Sequence, residues 1–278
     1  MSPRRPSLLS AAESAVLPTV LPAGARLAAR DLTLAAGART LISGLNLEFA
    51  PGEIWCIAGP NGAGKTTLIS TLAGLQLPAH GRVELDGRAL AEWPGNQLAQ
   101  RRALMPQALR DVFSASVFET VLLGRHPYLA GWGWEQAADR AAALAALAAL
   151  GLGAFAARDI LSLSGGERQR VALAAAVCQD AALMLLDEPL AHLDLHHQID
   201  CLKLLAQRAS TGGTIIFSCH DLNLARRYAS HALLLDGTGL VDAGPAREVL
   251  SAGNASRAFG YPLLLIESAG HEALVPAH

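Results

Sequence analysis

Gly59-Pro60-Asn61-Gly62-Ala63-Gly64-Lys65-Thr66, with Thr67 behind it, is the stretch that decides the fold. It matches G-x-x-x-x-G-K-[ST] at every fixed place, a loop whose backbone N–H groups turn inward around phosphate oxygens. The context agrees. Glu53–Ala58 before it is a nearly continuous apolar run, as a buried parallel strand would be, and a helix is expected from about Lys65. Glycines allow the inward turn, and the helix N-terminus adds its dipole. Lys65 is placed to reach β- and γ-phosphates, and Thr66 to present a hydroxyl to Mg²⁺. The chain has two lysines, Lys65 and Lys203, against 20 arginines. A sequence that otherwise uses Arg keeps a compact ammonium here.

Working outward, Arg26–Leu34 and Leu41–Phe49 read as strands, the second with Leu45, Leu47 and Phe49 alternating against Asn46 and Glu48. Pro51-Gly52 makes a turn. Further apolar runs are Ala182–Leu186, ending in Asp187-Glu188, then Thr214–Ser218, ending before Cys219-His220, and Ala232–Leu235. Polar residues just past such strands are where open α/β sheets carry their chemistry. Asp187 is the expected metal carboxylate, and Glu188 is placed to polarise an attacking water. Between about Gln107 and Ser162 the pattern is helical, clearest over Val117–Gly124 and Glu135–Leu150. This reads as a helical subdomain, about 108–162, inserted in the α/β core.

Composition narrows the class. The 278 residues are 51% hydrophobic and 17% charged, and mean hydropathy is +0.30, so a membrane-spanning chain is tested first. The long uncharged run between Arg140 and Arg158 is mostly Ala and falls short of the ~20 strongly apolar residues a span needs. A net charge of −2 offers no basic excess for a phosphate backbone, so no nucleic-acid partner is expected. Cys56, Cys178, Cys201 and Cys219 lack metal-ligand spacing and read as buried free thiols. Residues 1–25 carry Arg4-Arg5, but Glu13, Pro18 and Pro22 interrupt any signal-peptide core; they are expected to be a disordered leader. Residues 251–278 read as a tail without a motif.

Leu163-Ser164-Gly165-Gly166-Glu167-Arg168-Gln169 opens a helix expected to run to about Cys178. Ser164…Glu167 is a capping box, as is Ser116…Glu119. Two glycines in the first turn, Gly165 and Gly166, are poor for helix stability and suit a backbone that something approaches closely. A helix N-terminus with a Ser hydroxyl is an anion site. On these motifs the chain, over roughly 26–250, resembles the ATP-binding subunits of ABC transporters, with Leu163–Gln169 as the signature motif. The resemblance implies the ABC ATPase fold: a P-loop NTPase core with an N-terminal antiparallel β subdomain and the helical insert. By position Gln107 matches the Q-loop glutamine, a further Mg²⁺ contact. Asp194, in Ala191-His192-Leu193-Asp194, matches the D-loop aspartate, and His220 the switch histidine that contacts the γ-phosphate. It also implies a head-to-tail dimer with a second copy, in which the signature of one subunit closes on ATP held by the phosphate loop of the other.

The family usually stacks an aromatic residue on adenine. Ala36 stands at that place, and Arg39 nearby is expected to lay its guanidinium on the base instead. His192, His196 and His197 resemble a metal cluster, but adjacent helical residues point about 100° apart, so no metal is assigned there. Val112–Tyr128 and Leu193–Gln198 resemble the ATPases of iron-siderophore, haem and cobalamin importers. The expected function is therefore an ATP hydrolase at the cytoplasmic face of the cell membrane. It would drive separate permease subunits, fed by a substrate-binding protein, with cobalamin and iron-siderophore placed ahead of haem. The alternative is a non-transport ABC ATPase: cluster assembly, translation or DNA repair. Translation-type members resemble two cassettes in one chain, and repair-type members carry a long coiled coil where this chain has only some hundred residues between Lys65 and Ser164.

Overall fold

The computed structural model describes residues 24–107, 114–129, 134–268 and 270–277. The expected leader falls almost wholly on 1–23, outside the described residues, as do Val112 and Phe113.

In chain order the elements begin with β1 (Leu27–Ala36), β2 (Arg39–Phe49), β3 (Ile54–Ala58), α1 (Lys65–Leu72), β4 (His80–Leu85) and β5 (Arg88–Ala89). Then come α2 (Gly95–Arg101), β6 (Arg102–Met105), α3 (Val117–Leu122), α4 (Ala137–Ala149) and α5 (Gly165–Cys178). The second half holds β7 (Leu183–Leu186), α6 (Leu195–Ser210), β8 (Thr214–Ser218), α7 (Leu222–Tyr228), β9 (His231–Leu235) and β10 (Leu240–Pro245). The chain closes with α8 (Ala246–Val249), α9 (Ala252–Phe259), β11 (Leu263–Ser268) and β12 (His271–Pro276).

One sheet has the order β10-β9-β3-β8-β7-β6, parallel except for β10. A second, antiparallel, runs β2-β1-β4-β5. The parallel strands are short apolar runs because both faces are covered. Cys56 of β3, Met184 and Leu186 of β7 and Phe217 of β8 face one core, shared with α3 to α6. Trp55, Ile57, Leu183, Leu185 and Ile216 face the other, shared with α1 and the antiparallel sheet through Phe49, Leu68 and Leu85. Successive side chains in a strand point to opposite faces, so a strand covered on both needs no polar alternation.

Parallel order has one consequence for function: the C-terminal ends of β3, β6, β7, β8 and β9 all lie at one edge of the sheet. There the chain leaves into the phosphate loop, Gln107, Asp187-Glu188, Cys219-His220 and Asp236-Gly237 respectively. Between β6 and β7 the described residues hold α3, α4 and α5, with 3₁₀ turns at Leu123–Tyr128, Gly153–Phe155 and Ile160–Ser162. Both capping boxes form, at Ser116 with Glu119 and at Ser164 with Glu167. All four cysteines are free and buried.

Three segments went beyond the sequence reading: β4 with β5, the pair α2 and β6, and the region after Leu250. The last is folded as α9 and a hairpin, β11–β12, rather than a featureless tail. Asn223 of α7 holds it: its side-chain oxygen accepts from the Leu274 N–H at 2.7 Å and its amide donates to the Leu274 carbonyl at 3.2 Å. Buried Arg226 pairs with Glu272 at 2.6 Å. Among the described residues no helix is long and apolar enough to cross a membrane.

Candidate functional site

The loop between β3 and α1 ends on Gly64, whose φ of 100° is the left-handed conformation glycine tolerates. Gly64 is the N-cap of α1 and brings no side-chain cap, so the first-turn amides are left for an anion. Lys65 is buried, and its Nζ donates to the Gly59 carbonyl at 2.8 Å and the Pro60 carbonyl at 3.0 Å. Burial pulls its pKa below the usual lysine value, and the nearby Glu188 and Asp187 carboxylates oppose that shift. An ammonium resting on loop carbonyls, between burial and two carboxylates, is a cation that gains from an arriving phosphate.

A cavity of about 530 Å³ opens over the loop, lined by Asn61, Gly62, Gly64, Lys65, Thr66 and Thr67 together with Gln107, Glu188 and His220. Nine of the expected site residues thus meet at one surface, drawn from the ends of four strands. Gly59, Pro60 and Ala63 shape the loop from behind, Ala63 being buried. Asp187 lies buried behind the cavity wall.

Ser218, at the last position of β8, organises the two acids. Its hydroxyl donates to Asp187 Oδ1 at 2.7 Å and accepts from the Glu188 N–H at 2.7 Å. Gln169 of α5 donates to the Glu188 carbonyl at 2.7 Å. His220 Nε2 lies 2.7 Å from Glu188 Oε1. Glu188 itself has φ 51°, a left-handed conformation that costs a non-glycine residue about 1–3 kcal/mol and is held only where the surroundings over-determine it. Neither Ser218 nor Gln169 was singled out from the sequence. A serine ending an apolar strand carries no signal of its own; only its position beside the end of β7, which leads into both acids, reveals the role.

The oxygens of Thr66 and Gln107 approach to 3.5 Å at the cavity wall. With the Asp187 carboxylate they are hard oxygen donors of the kind Mg²⁺ takes, so these residues fit that ion. His192, His196 and His197 do not converge. His197 Nδ1 is 2.9 Å from Asp194 Oδ1, and His196 Nε2 is 3.3 Å from Asp200 Oδ2.

Ser164, Gly165 and Gly166 stand apart from this cavity. Gly165 lines a separate groove of about 520 Å³ with Gln107, Leu123, Arg168, Gln169 and His192. A Cβ on Gly166 would lie 2.7 Å from the His192 carbonyl oxygen, whereas one on Gly165 meets nothing nearer than 3.8 Å. The two glycines therefore have different reasons: Gly166 admits this chain's own His192 loop, and Gly165 leaves the helix N-terminus open. Ala36 and Arg39, at the tip of the β1–β2 hairpin, line the cavity with Leu41, and the Arg39 guanidinium hydrogen-bonds the Gly237 carbonyl.

Fold and site together define a P-loop nucleotide-binding ATPase. The ABC transporter family pattern matches residues 42–191. The chain belongs to the ABC transporter family, as one of its ATP-binding components. It is 39% identical over 246 residues to the hemin import ATP-binding protein HmuV of Streptomyces coelicolor, covering 88% of this chain and 87% of that protein. To the ferric enterobactin transport ATP-binding protein FepC of Escherichia coli it is 38% identical over 255 residues, covering 91% and 94%. A solved transporter described as of metal-chelate type, in an inward-facing conformation, superposes with a TM-score of 0.79 at 29% identity, covering 92% of this chain and 98% of that one.

Proposed function

We propose that this chain hydrolyses ATP to power import of a metal chelate through separate permease subunits. Haem and ferric siderophore, the cargos named for its relatives, come first, and cobalamin after them. The observation that carries the ATPase half is the cluster at one sheet edge: phosphate loop, Gln107, Asp187-Glu188 held by Ser218, and His220. The cargo half rests on likeness to the haem and enterobactin ATPases over nearly the whole chain.

Each residue has a task in this reading. Loop amides and Lys65 bind the β- and γ-phosphates, with Lys65 releasing the Gly59 and Pro60 carbonyls to do so. Thr66, Gln107 and Asp187 would hold Mg²⁺, which supplies charge neutralisation on the phosphates when bound. Glu188 orients and deprotonates the attacking water, its carboxylate aimed by the Ser218 and Gln169 contacts to its backbone. His220, hydrogen-bonded to Glu188, faces the γ-phosphate position. Arg39 lays its guanidinium against the adenine.

The signature lies outside the nucleotide cavity of its own chain. Ser164 and Gly165 therefore serve the ATP of a second copy, in a head-to-tail dimer with two composite sites. The groove beside Gln107 and Leu123 takes the cytoplasmic end of the permease. Gln107 lines both that groove and the nucleotide cavity, which couples nucleotide state to the permease. The protein then works as a peripheral subunit at the cytoplasmic face of the membrane, supplied through a substrate-binding protein. Uptake of labelled haem, ferric siderophore and cobalamin in cells with and without the gene tests the cargo. Dependence of haem or siderophore uptake on the gene is expected; if none of the three depends on it, the chelate reading falls.

A further inference from the structure

The C-terminal hairpin is built with one unfinished edge. In an antiparallel pair, residues alternate between those that exchange hydrogen bonds with the partner strand and those whose N–H and C=O point away from it. Leu274 gives both backbone groups to Asn223, so Leu274 and its opposite, Leu265, point away from each other. The alternation places Leu263 and Glu267 in the same class. Two observations agree: Leu263 stands opposite Pro276, which has no N–H, and its own N–H donates to Ser256 Oγ of α9 at 2.8 Å. Ser256 thus covers the start of the edge. Leu265 and Glu267 then direct their N–H and C=O groups outward along the side of β11 away from β12.

The side chains of Leu263, Leu264, Leu265 and Ile266 there are apolar, and Glu267 is charged. Leu264 is 55% exposed, Leu265 43% and Ile266 49%. An open strand edge flanked by exposed Leu and Ile, with Glu267 as its one acid, is one that proteins ordinarily pair or cover, and a two-stranded sheet is marginal by itself. The position also matters. Asn223, which clamps the hairpin, is three residues beyond His220, and the Asp221 carboxylate caps α7 by accepting from the Asn223 and Leu224 N–H groups. The hairpin is therefore carried on the helix that begins at the nucleotide site.

We propose that β11 pairs antiparallel with β11 of a second copy, about a two-fold axis through Ile266, forming a four-stranded sheet β12-β11-β11-β12 across the dimer. This register alone uses the free groups fully. Leu265 of each chain faces Glu267 of the other, giving two hydrogen-bonded pairs, while the two Ile266 residues meet as a non-hydrogen-bonded pair. Centring on Leu265 would instead set Glu267 against Leu263, whose groups Ser256 already occupies. No acid meets an acid, and Leu264 and Ile266 of both chains join in one apolar patch. Such a contact needs no nucleotide, so it holds the two ATPase subunits together when the composite sites open. The inference rests on the dimer of the proposed function for its choice of partner.

Cysteine cross-linking of the full chain without nucleotide tests it. Paired non-hydrogen-bonded residues have Cα atoms about 4.5 Å apart, within disulfide reach. Ile266→Cys is expected to form a covalent dimer on mild oxidation. Leu264→Cys, on the same face and no less exposed, is expected not to, and the wild-type chain with its four buried cysteines serves as blank. Leu265→Pro removes an outward N–H while sparing the β12 pairing. It should weaken nucleotide-free self-association by roughly tenfold in sedimentation, the loss of about one hydrogen-bond pair, with ATP binding unchanged. Equal cross-linking at both positions, none at Ile266→Cys, or cross-linking of Ile266→Cys to a permease chain in the assembled transporter would overturn the pairing. The ATP-dependent dimer is read separately, in Glu188→Gln with ATP and Mg²⁺. Its absence beside a positive Ile266→Cys result sinks the composite-site dimer and leaves the hairpin contact standing.

Discussion

At the scale of single residues the site is a set of constraints on two acids. Glu188 is held in a left-handed backbone by Ser218 and Gln169 and touches His220. Glu188→Gln should reduce turnover by about 10²–10⁴ while ATP binding persists, since a positioned base contributes that much. Steady-state ATPase assays paired with nucleotide-binding titrations check it. A variant retaining more than a tenth of the wild-type rate would remove Glu188 from the role of base. Ser218→Ala leaves the Glu188 N–H and an Asp187 oxygen without their partner. It should cost about 1–3 kcal/mol of stability in thermal unfolding and lower turnover without abolishing nucleotide binding. Arg39→Ala should raise the apparent KM for ATP several-fold, since a cation over a ring contributes about 0.5–2 kcal/mol, and Ala36→Tyr should tighten it again. An unchanged KM would mean that Arg39 leaves the base alone.

At the scale of elements the signature helix α5 carries two separable devices. Gly166→Ala drives a Cβ onto the His192 carbonyl and displaces that loop, whereas Gly165→Ala fits within its own chain. Gly165→Ala should therefore keep wild-type stability and, if its open backbone serves the second copy as proposed, lose hydrolysis. Gly166→Ala should lose both. Thermal unfolding beside ATPase rates separates them. The cap has a pH signature too. The Glu167 carboxyl sits below its ordinary value of 4.5, chiefly because it accepts from the Ser164 N–H and then from its hydroxyl, with Arg158 adding to the effect. A lowered folded pKa contributes stability above the ordinary value and loses it as pH falls through the folded one. Amide protection in the first turn of α5 should accordingly decline below about pH 4.5, sooner than in α1, which has no carboxylate cap. At this scale most of the core was legible: β3, β7, β8 and β9 are apolar runs because both sheet faces are covered. β4 and β6 escaped because they are short and half-exposed, with inward residues too few to set a period, Val83 and Leu85 in one and Ala103 and Met105 in the other. Leu263–Ile266 is the converse case, an apolar run that folds as an exposed edge, where burial cannot be inferred from composition. In the site, the loop, Asp187, Glu188 and His220 were legible because each follows an apolar run read as a strand, whereas Gln107 came from the family resemblance alone, β6 having gone unread. Ser218 and Gln169 were not, since both act through the Glu188 backbone.

For the whole molecule the central claim is that one chain holds two half-sites: a nucleotide cavity without the signature, and a signature in another groove. In the proposed dimer, symmetric pairing of two copies completes both. The direct measurement is ATP hydrolysis by an equimolar mixture of Ser164→Arg and Lys65→Ala chains. Each variant alone should be inactive, Lys65→Ala by weakened ATP binding and Ser164→Arg with ATP binding kept. In the mixed dimer the phosphate loop of the Ser164→Arg chain meets the signature of the Lys65→Ala chain, and that site is intact. The account predicts that hydrolysis reappears on mixing. A mixture as inactive as its components, together with loss of ATP binding in the Ser164→Arg chain alone, would show the signature acting within its own chain and contradict it.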